Sequence, residues 1–125
     1  MSATGYIVFA HVSSIESANE AVRTVAADMK RRGNLDIVEA AFLEGGQPSL
    51  AGALASMADR VSHVVVVPYF LTLGLHLKRD LPRLVDEVKQ THPNVRIDVA
   101  PPLDQHPAMV DALLDRARET ACKPA

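Results

Sequence analysis

Apolar residues along this chain fall into two kinds of segment. Four short runs, at 6–10, 35–43, 63–70 and 95–100, are nearly continuous, and each is followed by a polar or turn-rich break. Such runs predict strands. The run Val64-Val65-Val66-Val67 has no polar alternation at all. A strand of that kind is expected at the centre of a parallel sheet, with helices on both of its faces.

The segments between the runs carry helical periodicity. The first spans about 16–32, with Ala18, Val22, Val25, Ala26 and Met29 on one face. Gly33-Asn34 closes it, because both residues tolerate positive φ. A second helix is predicted from Pro48, with Leu50, Ala53, Leu54 and Met57 inward. A third covers about 78–91 with Leu81, Leu84, Val85 and Val88 inward, and His92-Pro93-Asn94 stops it. After Pro101-Pro102 a last helix starts near Pro107 and is expected to bury Met109, Val110, Leu113 and Leu114.

The order β-α-β-α-β-α-β-α implies right-handed crossovers and an α/β fold: a four-stranded, mostly parallel sheet flanked by helices. The length of 125 residues and a hydrophobic content of 48% suit one domain over 1–125. No repeat, low-complexity tract or linker interrupts it. In an open parallel sheet, ligands bind beyond the carboxyl ends of the strands, where the loops splay apart. Chemistry is therefore expected at the strand exits.

Composition narrows the classes of function. Thirteen basic and fifteen acidic residues leave a formal charge of −2, too little positive charge for generic nucleic-acid binding. One cysteine, Cys122, excludes a disulfide scaffold or a Cys-rich zinc module. The first residues lack a basic n-region, and the greasiest stretch, 64–75, is broken by Pro68, Thr72 and Gly74. Neither export nor a membrane span is expected. A cytoplasmic location is.

Three metal-competent side chains lie at successive strand exits. His11 follows the first strand, Glu44 ends the second and His76 lies in the loop after the third. They are about one βα unit apart, so only the fold can bring them together. Two imidazoles and a carboxylate suit a borderline divalent ion such as Co²⁺, Ni²⁺, Fe²⁺ or Zn²⁺. The remaining histidines read as structural: His63 precedes a strand, His92 sits at a helix C-terminus, and His106 stands before Pro107, where it could cap the last helix.

Phe-Ala-His-Val-Ser-Ser, Ala-Asn-Glu, Ala-Phe-Leu-Glu with Pro-Ser-Leu, Val-Val-Val-Val-Pro-Tyr-Phe-Leu, Gly-Leu-His-Leu-Lys-Arg-Asp-Leu-Pro and Pro-Pro-Leu-Asp-Gln-His-Pro follow one another in that order. Together they resemble the small CbiX-type sirohydrochlorin chelatases over nearly the whole chain. The stretch 64–82 is the most specific. The resemblance implies a chelatase-like, flavodoxin-like half unit: a class II tetrapyrrole chelatase of cobalamin or related tetrapyrrole biosynthesis. Such an enzyme inserts Co²⁺, or in relatives Ni²⁺ or Fe²⁺, into sirohydrochlorin without ATP or an organic cofactor. The family's metal-site histidines fall on His11 and His76, and its acidic partner on Glu44. Short members pair as homodimers.

Sirohydrochlorin carries eight carboxylates, so the pocket should offer donors at its rim. Ser13, Ser14, Lys78 and the Gly45-Gly46 turn are the candidates, whereas Arg79 reads as part of a solvated first turn. The family's first loop usually reads Gly-His-Gly-Ser. This chain has Ala10-His11-Val12-Ser13-Ser14, which predicts a narrower pocket. Two rival readings stand beside the enzyme. One is a phosphohistidine carrier using His11 alone, and the other is a non-catalytic metal or tetrapyrrole binder.

Overall fold

The eight predicted elements form in the predicted order in a computed structural model that describes residues 3–71 and 73–122, apart from the side chain of His76. They are β1 (Thr4–His11), α1 (Glu16–Arg32), β2 (Ile37–Leu43), α2 (Leu50–Met57), β3 (His63–Pro68), α3 (Leu75–Thr91), β4 (Arg96–Val99) and α4 (Pro107–Ala121). All strand pairings are parallel, in the order β2-β1-β3-β4.

Local chemistry explains where the boundaries depart from expectation. β3 ends at Pro68 rather than Phe70, with the Tyr69 N–H still donating to the Phe9 carbonyl at 2.7 Å. α2 starts after Ser49, whose Oγ accepts a hydrogen bond from the Gly52 N–H at 3.1 Å, so Pro48 precedes the helix. α3 begins at Leu75, about one turn earlier than the periodicity predicted, because Gly74 takes an extended conformation and serves as the N-cap. His76 therefore lies in the first turn of a helix and not in the preceding loop. His106 caps α4, its Nδ1 accepting from the Ala108 N–H at 3.1 Å, and His92 is the C-cap of α3.

Apolar residues pack on both faces of the sheet. On one face Ile7, Phe9, Ala41, Val64, Val66 and Ile97 meet α2 and α3. All four predicted inward residues of α2 are buried, as are Leu81, Val85 and Val88 of α3, while Leu84 is half-buried. On the other face Val8, Ala10, Ala40 and Phe42 pack against Val22 and Ala26 of α1. Val25 and Met29 are half-buried, and Ala18 is exposed.

Two expectations about this second face need correction. β3 is central, but Val65 and Val67 are only half-buried, so no helix of this chain fully covers that side. The last helix buries none of its residues: Val110 is 60% exposed, Leu113 66% and Leu114 42%. The apolar periodicity of α4 is real, but the other described residues do not bury it.

Candidate functional site

β1 runs outward to β2 on one side and to β3 on the other, so the strand order reverses at β1. The crevice at such a reversal lies beyond the strand's carboxyl end. His11, the last residue of β1, stands there. It is exposed, and its ring lies edge-on to Phe70, 4.8 Å between centroids at 89°. Phe70 is itself held edge-on by Phe9 at 6.3 Å. A chain of aromatic contacts thus fixes the imidazole from the core side, leaving its other side open.

Register brings Glu44 to the same edge. His11 pairs with Leu43, which places Glu44 one residue beyond, next to the His11 backbone. Glu44 and Gly45 both adopt left-handed conformations, φ 57° and 85°, and turn the chain sharply at the end of β2. Gly46 then packs against the first loop. A Cβ at Gly46 would lie 2.9 Å from Val12 Cβ and would also collide with Phe42 Cβ. The glycine is what lets the second loop approach a first loop that carries valine at position 12.

The cavities beside these residues differ. His11 borders a space of about 250 Å³ on the α1 face, lined also by Ala10, Ser13, Asn19 and Tyr69. Glu44 borders a larger and mainly apolar groove of about 610 Å³ between α2 and α3. The two backbones are neighbours, and the two residues border different cavities. Among the described residues no three His, Cys, Asp or Glu side chains form a group able to hold a metal. The His76 side chain lies outside the described residues.

The first loop is ordered by a residue to which sequence reasoning assigned no role. Asn19, 5% exposed, is the only buried polar residue among those described. Its Oδ1 accepts from the Ser13 N–H at 2.8 Å, and its Nδ2 donates to the Ser13 carbonyl at 2.9 Å and to Glu16 at 3.2 Å. The signal was present: Asn19 falls on the inward stripe with Val22 and Ala26, where a polar residue needs a partner. Ser13 Oγ accepts from the Ile15 N–H at 3.0 Å. Glu16 is held below the usual carboxylate range by its hydrogen bond from Arg23 and then by Asn19.

The other candidate donors lie in the loop after β1 and in the first turn of α3. Ser14 is exposed. Lys78 is exposed in the first turn of α3, its N–H bonded to the Gly74 carbonyl at 2.9 Å. Arg79 and Arg83 both approach Asp80. The exposed apolar residues Val12, Ile15, Tyr69 and Leu71 belong to the loops at this edge, and exposed Leu75 opens α3.

Comparison with known proteins agrees with this architecture. The CbiX family model matches residues 5–120. Among curated relatives, the sirohydrochlorin cobaltochelatase of Sulfolobus acidocaldarius is 30% identical over 116 residues, covering 92% of this chain and 90% of its own. That of Sulfurisphaera tokodaii is 31% identical, covering 92% of each. A CbiX protein of cobalamin biosynthesis from Marinobacter aquaeolei superposes with a TM-score of 0.81 at 27% identity, over 94% of this chain and 97% of that one. SirB from Bacillus subtilis, determined with Fe³⁺, superposes with a TM-score of 0.86 at 23% identity, over 98% of this chain but 48% of its own.

Proposed function

This chain belongs to the CbiX family, and on that footing we propose that it is a sirohydrochlorin metal chelatase that inserts Co²⁺ without ATP or an organic cofactor, with Fe²⁺ and Ni²⁺ as the alternative metals. The observation that carries the reading is the position of His11. It is an exposed imidazole at the point where the strand order reverses, held edge-on by Phe70 and surrounded by loops rich in exposed apolar residues. A flat macrocycle with a charged periphery needs such a rim: apolar contact for its face, and donors at its edge.

The chemistry follows from what insertion requires. The ion must exchange bound water for ring nitrogens, and two pyrrole N–H groups must lose their protons. A neutral imidazole offers a lone pair suited to these ions and titrates near neutral pH, so it can ligate the metal or accept a proton. We assign His11 and His76 to both tasks and Glu44 to completing the metal shell or relaying a proton. Ser13, Ser14 and Lys78 are assigned to the substrate carboxylates.

The expected assembly is a homodimer in the cytoplasm. An exposed lone thiol, Cys122, accords with a reducing compartment. Anaerobic absorbance spectra of sirohydrochlorin with Co²⁺ test the function. Metallation should exceed the uncatalysed rate and fall by about 10²-fold or more in His11→Ala and in His76→Ala, the range expected when a positioned acid–base group is lost. Tight binding of the tetrapyrrole with no acceleration would make the protein a binder instead.

A further inference from the structure

The loops that carry His11 and Glu44 touch where Val12 lies against Gly46. A second connection runs around that contact, through the first turns of α1, and it is built of polar groups. Asn19 holds the backbone of Ser13, two residues past His11, at 2.8 and 2.9 Å, and its Nδ2 also donates to Glu16 Oε2 at 3.2 Å. The other oxygen of Glu16 accepts from Arg23 at 2.6 Å, and the guanidinium of Arg23 lies over the Phe42 ring, 5.3 Å from its centroid. Phe42 belongs to the end of β2. Its N–H donates to the Pro48 carbonyl at 2.9 Å, and its Cβ is one of the atoms that leave room only for glycine at position 46. The chain of contacts therefore starts beside His11 and ends on two anchors of the loop that carries Glu44.

Arg23 is the link that joins the two halves. Glu16 and Glu20 stand about one helical turn apart, where like charges repel, and Arg23 bonds to both, at 2.6 and 2.8 Å. A planar guanidinium can do this and still lay a face on an aromatic ring, which an ammonium cannot match. Without it Glu16, 74% exposed, would be pushed from Glu20 into water, Asn19 would lose one acceptor, and Phe42 would lose the group that lies over its ring.

On the chelatase reading, on which this inference rests, we propose that Arg23 is a positioning residue for metal insertion: it fixes the loop of His11 against the loop of Glu44. Arg23 lines neither the cavity beside His11 nor the groove beside Glu44, so it acts on geometry and not on the substrate. Geometry decides the rate here, because displacing a reacting group by about 1 Å costs up to about 10²-fold.

Arg23→Met tests this, since it keeps an apolar stem over Phe42 and removes the charge and the fork. In the anaerobic Co²⁺ assay with sirohydrochlorin, kcat should fall about tenfold with KM within about twofold of the wild type. The melting temperature should shift by no more than about 4 °C, as for the loss of an exposed ion pair. Arg23→Lys keeps the charge and should fall between the wild type and Arg23→Met. Glu20→Gln removes an ion pair of the same kind but leaves Arg23 on Glu16, and should keep the wild-type kcat. Amide hydrogen exchange followed by NMR supplies a readout independent of insertion: exchange at Ser13 should quicken severalfold in Arg23→Met while Val66 in β3 stays unchanged. An unchanged kcat in Arg23→Met beside an active wild type would overturn the proposal and leave the chelatase reading intact. So would a raised KM at constant kcat, which would place Arg23 on the substrate, or a fall in kcat with Ser13 exchange unaltered. A wild type that binds sirohydrochlorin without speeding insertion would overturn the chelatase reading itself, and the role of Arg23 with it.

Discussion

The carboxamide of Asn19 clamps both backbone groups of Ser13, accepting from its N–H at 2.8 Å and donating to its carbonyl at 2.9 Å. Ser13 is two residues past His11, so this pair of hydrogen bonds sets the course of the chain as it leaves β1. An amide does this where a carboxylate could not, because one atom must accept and the other donate. The clamp is internal to the helix–loop unit and buried with Val22 and Ala26, which shields it from competition by water.

Asn19→Leu should therefore cost about 1–3 kcal/mol, the penalty of leaving buried backbone groups unpaired. Calorimetry should show Tm falling by roughly 4 °C per kcal/mol for a chain of this size. Asn19→Asp keeps the shape but turns a carboxylate oxygen toward the Ser13 carbonyl and Glu16. Its loss at neutral pH should be partly recovered near about pH 4, where the new carboxyl protonates. Unchanged melting of both variants would show that the clamp does not hold the loop.

Gly46→Ala is predicted to destabilise by about 1–3 kcal/mol, the usual cost of overpacking. The new methyl group would meet Val12 Cβ and Cγ2, each at 2.9 Å, and Phe42 Cβ. None of these is the free end of a flexible side chain. Chemical denaturation should show Val12→Gly restoring only part of the loss, since the Phe42 collision remains. Full restoration would place all the strain in the first loop.

On the β3–β4 edge, the hydrogen bond from His63 at 2.7 Å, with Arg96 adding to it at 2.9 Å, holds the Asp98 carboxyl below its ordinary value. A carboxylate whose folded pKa is depressed favours the native state at any pH above its unfolded value. That contribution fades as pH falls from about 4, the unfolded value, through the lower folded one. Melting temperatures measured from neutral to acid pH should thus fall less steeply below about pH 4 in Asp98→Asn than in the wild type. Parallel curves would remove this pair from the acid response.

Lys78→Ala should act on substrate binding rather than on chemistry. The exposed ammonium in the first turn of α3 has no role assigned in proton transfer, and its partner would be a peripheral carboxylate. Steady-state metallation should show KM raised severalfold with kcat nearly unchanged, and the difference between wild type and variant should shrink with added salt as the attraction is screened. A fall in kcat with KM unchanged would move Lys78 into the reacting centre.

Much of this architecture could be read from the chain because it rests on local periodicity. The valine run marked β3, the stripe of Leu50, Ala53, Leu54 and Met57 marked α2, and the spacing from Val22 to Ala26 marked α1; β3 buries Val64 and Val66, and the two helices bury all the residues named for them. His106 as a cap is equally local, since its ring reaches a backbone N–H only two residues away. The start of α3 was missed because Gly74 acts there through its extended backbone, which periodicity does not reveal.

What the sequence determined by itself was the order of the elements, the face each presents to the core, and the presence of His11, Glu44 and His76 near successive strand exits. Those follow from short-range patterns of burial and turn chemistry. Only the tertiary structure decided that His11 lies beside Leu43 and edge-on to Phe70, that Glu44 borders the groove between α2 and α3, and that Gly46 accommodates Val12. It alone also showed that α4 buries none of its residues against the other described residues. The reason is physical: periodicity states that a face must be buried, but strand register and loop approach, which join residues tens of positions apart, decide against what.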